Sequence, residues 1–242
     1  EYIENENERY NIGGCLLVSP EYLRKKQYLV SYRHAPALIS GLFPDRISLP
    51  RTYKKISEKQ RLKIALTGDS ISNAANSSYE MGFKGYRHWL DNTAESVKKY
   101  LKTEISYENI SRSGYGTEWA LSVAEEKFKN GDFDLVIIAF GMNDGVDIAH
   151  ADYGDNIENI IDRITERNPK TEIVLVSPML PNAEIRVNWG NRTPILARQP
   201  EYKAVLRRIA EERTAVAFAD VTSVFQEINK SKRFIDYTSN NV

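Results

Sequence analysis

The sequence predicts an α/β protein in which a parallel β-sheet is covered by helices on both sides. From Arg61 onward, short apolar runs alternate with longer stretches whose apolar residues recur at helical spacing. Residues 135–140 are six apolar residues in succession, as expected of a strand that is buried on both faces. Strands that alternate with helices in this way are typical of a parallel sheet between two helix layers.

Each predicted element has a local signal. The compact apolar runs and alternating segments predict strands at residues 62–66, 104–110, 135–140, 173–176 and 215–219. Apolar residues at a spacing of three and four predict helices at residues 84–101, 117–128, 153–167, 201–213 and 221–228. Asn168 and Pro169 end the third of these helices, because proline does not continue a helix.

The first sixty residues have a different character. Residues 15–18 and 27–32 are short strand-like runs, and residues 36–50 contain three prolines and Gly41, as an extended linker does. We therefore expect residues 1–60 to form a small β-rich appendage, or the end of an upstream β module, followed by a linker. Residues 61–242 are expected to form the α/β domain.

The composition excludes several classes of function. Lys plus Arg and Asp plus Glu both number 33, so the chain has no basic excess for nucleic acid or for a charged membrane surface. No stretch reaches the roughly 18 apolar residues that a membrane-spanning helix needs.

The single cysteine, Cys15, fits a buried apolar position and is compatible with a reducing compartment or with an exported bacterial protein. The start at Glu1 has no Met and no signal-peptide pattern, so we expect the chain to begin inside a longer gene product.

Three polar loops that contain glycine follow the first three predicted strands of the α/β region. They are residues 68–70, 111–116 and 141–145. In an open α/β sheet, ligands bind beyond the carboxyl ends of the strands. We therefore expect these loops to converge on one edge of the sheet and to hold the functional site.

Each loop offers one candidate residue with two interpretations. Ser70 is a candidate nucleophile that a tight turn would present to an acyl carbon. Alternatively, Asp69 or Ser70 merely caps the N-terminus of the next helix. Asn143 is a candidate side-chain donor to an oxyanion, or the start of an Asx turn. Gly114 is a candidate backbone donor that substrate can approach closely, or part of a plain turn.

Together the loops resemble the conserved blocks of the SGNH (GDSL-like) hydrolase family, in the same order. Residues 68–71 read Gly-Asp-Ser-Ile where the family has Gly-Asp-Ser-Leu, residues 109–114 are similar to the second block, and residues 141–144 read Gly-Met-Asn-Asp like the third. The resemblance covers about residue 49 to the C-terminus. It implies a flavodoxin-like, three-layer α/β/α sandwich with a five-stranded parallel sheet. It also implies that Ser70 attacks an ester carbonyl and that the Ser70 amide, the Gly114 amide and the Asn143 side chain hold the oxyanion.

The sequence departs from this family in its fourth block, Asp-x-x-His, which no residues after position 220 match. The three histidines are His34, His88 and His150, and none is assigned as the general base. His88 is expected at a surface or half-buried position within the 84–101 helix. We expect the native protein to continue past Val242 with a closing helix and a histidine, which Asp236 or Asn241 would orient. Residues 1–242 alone are then expected to turn over esters very slowly.

The leading functional prediction is an esterase that deacylates a carbohydrate, most simply by deacetylation, without a cofactor or metal. Its partner would be a small-molecule or polysaccharide ester, and the oligomeric state is open. The carbohydrate part rests on analogy with polysaccharide esterases that carry a β-rich module. Three alternatives are a lipid-ester acylhydrolase, a sugar-binding protein that kept the fold without catalysis, and, ranked last, a flavodoxin-like cofactor or signalling domain.

Four aromatic residues would line a sugar site or serve only in packing, namely Tyr79, Phe83, Tyr115 and Trp189. The acidic cluster between Asp132 and Asp155 has no ligand spacing and indicates a solvated loop.

Overall fold

The computed structural model describes residues 2–4, 14–16, 48–75, 77, 79, 82, 87–147, 149–180 and 198–232. In the N-terminal part, strand β1 (Tyr2–Glu4) pairs antiparallel with strand β2 (Gly14–Leu16), and Ile3 lies opposite Cys15. The predicted strand at residues 27–32 lies outside the described residues. The described pairing in this part is therefore a short β ribbon.

The α/β region contains a five-stranded sheet in which every neighbouring pair of strands is parallel. Its strand order is β4-β3-β5-β6-β7, the doubly wound order of flavodoxin-like folds. This result confirms the predicted fold class. The strands are β3 (Leu62–Gly68), β4 (Ile105–Asn109), β5 (Leu135–Ala139), β6 (Glu172–Val176) and β7 (Val216–Ala219).

The helices of the described residues connect these strands. They are α1 (Pro50–Ser57), α2 (Trp89–Leu101), α3 (Thr117–Lys127), α4 (Asp144–Asp147), α5 (His150–Arg167), α6 (Gln199–Glu212) and α7 (Val221–Ile228). Across the described ranges, none of them combines the length and the apolar character that a membrane span requires.

The sheet has an apolar core on each face because successive residues of a strand point to opposite sides. On one face, Val136 and Ile138 of β5 pack with buried residues of α3, α5 and α6. On the other face, Leu135 and Ile137 pack with Leu90 of α2 and with β3. Burial on both faces explains why β5 reads as a continuous apolar run, and it gives the three layers of the fold.

The sequence does not predict helix α1, because the prolines of residues 36–50 indicate a linker that ends at Pro50. Pro50 occupies the first turn of α1, where its missing N–H costs nothing. The carboxylate of Glu172, at the start of β6, accepts hydrogen bonds from the backbone N–H groups of Arg51 (2.8 Å) and Thr52 (2.6 Å). Helix α1 therefore packs on the sheet, although it falls within the residues 1–60 that were assigned to the N-terminal part.

The predicted helix at residues 84–101 starts too early. Residues 87 and 88 are not helical, and α2 begins at Trp89. His88 has extended backbone angles and its ring accepts the hydrogen bond of the Leu90 N–H, so it is the N-cap of α2. Histidine is an uncommon N-cap, which is why the apolar spacing alone misplaced this boundary.

Candidate active site

The first candidate loop leaves β3 through Gly68, whose lack of a side chain lets β3 and β5 approach closely. A Cβ added to Gly68 would lie 2.5 Å from the carbonyl oxygen of Ala139 and would also collide with the side chain of Ser72. Only glycine fits this position without moving the backbone. The end of β3 is thereby held against the end of β5, which leads into the third loop.

Ser70 lies at the start of a series of turns rather than at the start of a helix. Residues 70–75 are turns, closed by bonds from Asn73 N–H to the Asp69 carbonyl and from Ala75 N–H to the Ser70 carbonyl, both 3.0 Å. Neither Ser70 nor Asp69 therefore caps a helix. The Ser70 side chain is half-buried, and no described residue bonds to its hydroxyl or to its backbone N–H.

Asp69 connects the first loop to the third. It is only 2% exposed, and its two carboxylate oxygens accept hydrogen bonds from the backbone N–H groups of Ile71 (2.9 Å) and Met142 (3.3 Å). Burial, and to a smaller extent the charge of Asp144, raise the pKa of the Asp69 carboxyl from 3.8 to about 6, against the lowering effect of the two amides. One buried carboxylate thus sets the spacing between the Ser70 turn and the Asn143 loop.

The raised pKa of Asp69 predicts a pH dependence of stability. Between pH 3.8 and 6 the folded protein holds a proton on Asp69 that the unfolded chain has released, so raising the pH through this interval destabilises the folded state. Relative to Asp69→Asn, the wild-type protein should lose roughly 3 kcal/mol of unfolding free energy between pH 3.5 and 7. Denaturant unfolding of both proteins at several pH values measures this difference. A difference that is constant or rises with pH would contradict the buried-carboxylate account.

The second loop follows β4 and contains Gly114 at a backbone angle φ of +82°, which favours glycine. A Cβ placed on Gly114 would meet nothing within 4 Å, and no described residue accepts its N–H. The loop is tied to the first one by Arg112 N–H, which donates to the Gly68 carbonyl (2.9 Å), and by Asn73 Nδ2, which donates to Ser113 Oγ (3.1 Å). The Gly114 N–H is therefore without an acceptor among the described residues, in a loop that is bonded to the Ser70 turn.

The third loop carries Asn143, which is half-buried and bonds to the second loop. Its Nδ2 donates to the carbonyl oxygen of Tyr115 at 2.9 Å, which leaves the second hydrogen of that amide available. The neighbouring Asp144 is buried, and its Oδ1 accepts from the N–H (2.7 Å) and the hydroxyl (2.6 Å) of Thr117, at the start of α3. Asn143 does not form an Asx turn, because no described backbone N–H donates to its Oδ1, and its Nδ2 bonds across to another loop.

The three loops are therefore joined in pairs at the carboxyl edge of the sheet. Asp69 joins the first loop to the third, Arg112 joins the second to the first, and Asn143 joins the third to the second. The sequence predicted that these loops meet. The catalytic roles of Ser70, Gly114 and Asn143 stay predictions, and Asp236 and Asn241 lie outside the described residues.

His88 is buried behind the Ser70 turn, which corrects the expectation of a surface or half-buried position. It is 2% exposed, its Nδ1 accepts from Leu90 N–H (3.1 Å), and its Nε2 therefore carries the proton and donates to the Ser72 carbonyl (2.8 Å). Asn109 Nδ2 donates to the same carbonyl at 2.9 Å. With both ring nitrogens engaged, His88 has none free to accept the Ser70 proton.

Asp69, His88 and Asn109 support the site in ways that the sequence analysis did not predict. Asp69 and Asn109 belong to the motifs themselves, so their positions in the Gly-Asp-Ser and second blocks were a usable signal. His88 had no such signal, because its bond to Ser72 spans 16 positions and depends on how α2 packs.

Two of the four aromatic candidates for a sugar site lie on the surface near these loops. Tyr115 is 39% exposed and follows Gly114 directly. Tyr79 is 42% exposed and its ring meets the ring of His88 edge-on at 5.5 Å between centroids. Phe83 and Trp189 lie outside the described residues.

The acidic residues of the predicted loop take part in ion pairs and caps. Asp132 pairs with Lys63, and Asp134 pairs with Lys55 at 2.6 Å. Across residues 48–75, 87–147, 149–180 and 198–232, no three His, Cys, Asp or Glu side chains are placed to hold a metal ion together.

Comparison with known proteins agrees with the motifs and the fold. A GDSL esterase/lipase of Arabidopsis thaliana is 27% identical over 190 residues, which are 69% of this chain and 73% of that protein. A solved two-domain esterase active on acetylated mannans has a TM-score of 0.60 and 18% identity over 81% of this chain, which spans about half (47%) of that protein. The acetyl-xylooligosaccharide esterase Axe2 of Geobacillus stearothermophilus, in a mutant form, has a TM-score of 0.57 and 20% identity over 75% of this chain and 85% of its own. The model of the GDSL-like lipase/acylhydrolase family matches residues 66–237, and the chain therefore belongs to this family of ester hydrolases.

Proposed function

We propose that the protein removes acyl groups, acetyl in the simplest case, from ester-decorated carbohydrate, with Ser70 as the nucleophile. The oxyanion hole would consist of the Ser70 N–H, the Gly114 N–H and Asn143 Nδ2. One observation carries the proposal: the Ser70 N–H and the Gly114 N–H, which no described residue accepts, and the second hydrogen of Asn143 Nδ2 lie on loops that hydrogen bonds join around Ser70.

The chemistry follows from these positions. The Ser70 oxygen attacks the ester carbonyl carbon while its proton passes to a general base, and the carbonyl oxygen becomes an oxyanion that the three donors stabilise. The tetrahedral intermediate then collapses, the alcohol leaves with the proton, and water releases the acyl group from Ser70. The engaged ring of His88 does not fit the role of the base.

The carbohydrate part of the proposal is supported by two observations. Solved relatives of this fold act on acetylated mannans and acetyl-xylooligosaccharides. Exposed Tyr115 lies directly beside Gly114, and aromatic rings at a site edge are suited to stacking on sugar rings. A lipid ester is the competing substrate within the same family, whose description includes lipases.

Covalent labelling tests the nucleophile. A fluorophosphonate probe should add one label to the protein, and peptide mass spectrometry should place it on Ser70, because only a serine with a stabilised oxyanion reacts readily with such probes. The label should be lost in Ser70→Ala and retained in Ser96→Ala, an exposed serine of α2. A label on another residue would contradict the assignment of Ser70.

A substrate panel separates the competing functions. Acetylated xylo- and manno-oligosaccharides should be deacetylated with higher kcat/KM than p-nitrophenyl esters of long-chain acids. The reverse order would favour a lipid-ester acylhydrolase. Saturable binding of the oligosaccharides without labelling of Ser70 would favour a sugar-binding protein that has lost catalysis.

A further inference from the structure

Arg112 is a surface residue whose position is fixed relative to Ser70. It lies in the second loop, two residues before Gly114, and its side chain is exposed. Its backbone N–H donates to the carbonyl of Gly68, two residues before Ser70, at 2.9 Å. The base of the Arg112 side chain is therefore anchored beside the Ser70 turn by a main-chain hydrogen bond.

The guanidinium of Arg112 lies over the Tyr115 ring and within cation–π distance of the Trp119 ring. Its central carbon lies 4.3 Å from the centre of the Tyr115 ring and 5.9 Å from that of Trp119, and the two ring centres are 5.5 Å apart. We call the rings of Tyr115 and Trp119 the aromatic shelf. The carbonyl of Tyr115 accepts a hydrogen bond from Asn143 Nδ2, so the shelf is attached to the third loop. These contacts restrict the guanidinium to few conformations, which lowers the entropy that a ligand must overcome to bind it.

Arg112 has no carboxylate partner among the described residues. This distinguishes it from most surface arginines in the same part of the chain, whose guanidinium groups lie within 4 Å of an acidic side chain. Those arginines are Arg87, Arg163, Arg167, Arg207, Arg208 and Arg213.

We propose that Arg112, held on Tyr115 and Trp119, binds an oxyanionic group, a carboxylate or a phosphate, on the alcohol part of the ester substrate. Two of the proposed oxyanion donors are attached to the residues that carry the Arg112 guanidinium, because Gly114 precedes Tyr115 in the chain and Asn143 Nδ2 bonds to the Tyr115 carbonyl. The guanidinium fork matches carboxylate and phosphate geometry with two parallel hydrogen bonds. This inference rests on the proposed function, and it adds that the alcohol part of the substrate carries a negatively charged group.

The test compares three probes that carry the same acetylated ring. They are an acetylated methyl galactoside, the corresponding galacturonide with a carboxylate at C6, and the corresponding 6-phosphate. The wild-type protein should show a higher kcat/KM for the charged probes, and Arg112→Gln should lower the charged-to-neutral ratio about tenfold. Arg112→Lys, which keeps the charge and loses the fork, should give an intermediate ratio. The better of the two charged probes identifies which oxyanion is the natural one.

Two controls make the result specific. Arg163→Gln, on α5 and paired with Glu125, removes a surface arginine away from the site and should leave the ratio unchanged. High salt should lower the wild-type ratio, because salt screens exposed charges, and should change the Arg112→Gln ratio less.

Binding to Ser70→Ala protein separates this proposal from the proposed function. Calorimetry with the acetylated galacturonide and 6-phosphate should give Kd values that Arg112→Gln raises about tenfold. Hydrolysis of all probes without charge preference, unchanged by Arg112→Gln, would overturn the Arg112 site alone. Binding that depends on Arg112, without Ser70-dependent hydrolysis of any ester, would overturn the proposed function and support the anion site.

Discussion

In a form of the protein that contains its general base, Ser70→Ala should lower kcat for ester hydrolysis by at least about a thousandfold, and the loss approaches a millionfold in a fully assembled serine hydrolase. The substitution removes the only atom proposed to form the acyl intermediate. It removes no hydrogen bond of the fold, because no described residue bonds to the Ser70 hydroxyl. We therefore expect activity to fall while the midpoint of thermal unfolding stays within a few degrees of the wild-type value.

The measurement is the initial rate of hydrolysis of p-nitrophenyl acetate and of an acetylated xylo-oligosaccharide by equal amounts of folded protein. Ser96→Ala serves as the matched control, because Ser96 is an exposed residue whose hydroxyl bonds only within α2. Equal loss in both variants would indicate a general effect of the substitution. Hydrolysis that survives Ser70→Ala at more than about a tenth of the wild-type rate would exclude Ser70 as the nucleophile.

Asn143→Ala should lower kcat by a factor of roughly 100 to 1,000, which is the usual effect of removing one oxyanion donor. A donor that acts mainly on the oxyanion stabilises the transition state more than the bound substrate. We therefore expect kcat and kcat/KM to fall together with little change in KM. The substitution also removes the hydrogen bond to the Tyr115 carbonyl, so a modest loss of stability, about 1 kcal/mol, should accompany it.

Asn143→Asp tests whether the amide donor, and not merely the size of the side chain, is required at this position. It keeps the size of the residue and replaces the amide donor by a carboxylate, which would repel both the Tyr115 carbonyl and an oxyanion. We expect it to be at least as inactive as Asn143→Ala. Asn159→Ala, an exposed amide that bonds only within α5, should retain wild-type kinetics. A rise in KM with unchanged kcat in Asn143→Ala would instead indicate that Asn143 binds the ground state of the substrate.

The α/β class and the site loops could be predicted from the sequence because their signals are local. The β5 run is apolar throughout since both of its faces are covered, and the helical spacing of α7 located both of its ends correctly. The candidate residues Ser70, Gly114 and Asn143 each follow a strand, and parallel strands bring their carboxyl ends to one edge. Strand order makes these loops neighbours, so their convergence follows once the strands are known to be parallel.

Other features depend on contacts between residues far apart in the chain, and such contacts leave no local signal in the sequence. Helix α1 is stabilised by Glu172, about 120 positions away, and not by an apolar pattern of its own. The buried position of His88 depends on the Ser72 carbonyl, and the raised pKa of Asp69 depends on burial and on Asp144. Burial and long-range polar contacts arise when the layers pack together, whereas the periodicity of apolar residues is already present in the unfolded chain. The sequence alone therefore predicted which loops meet at the edge of the sheet, and packing determines which buried residues hold the Ser70 turn in place.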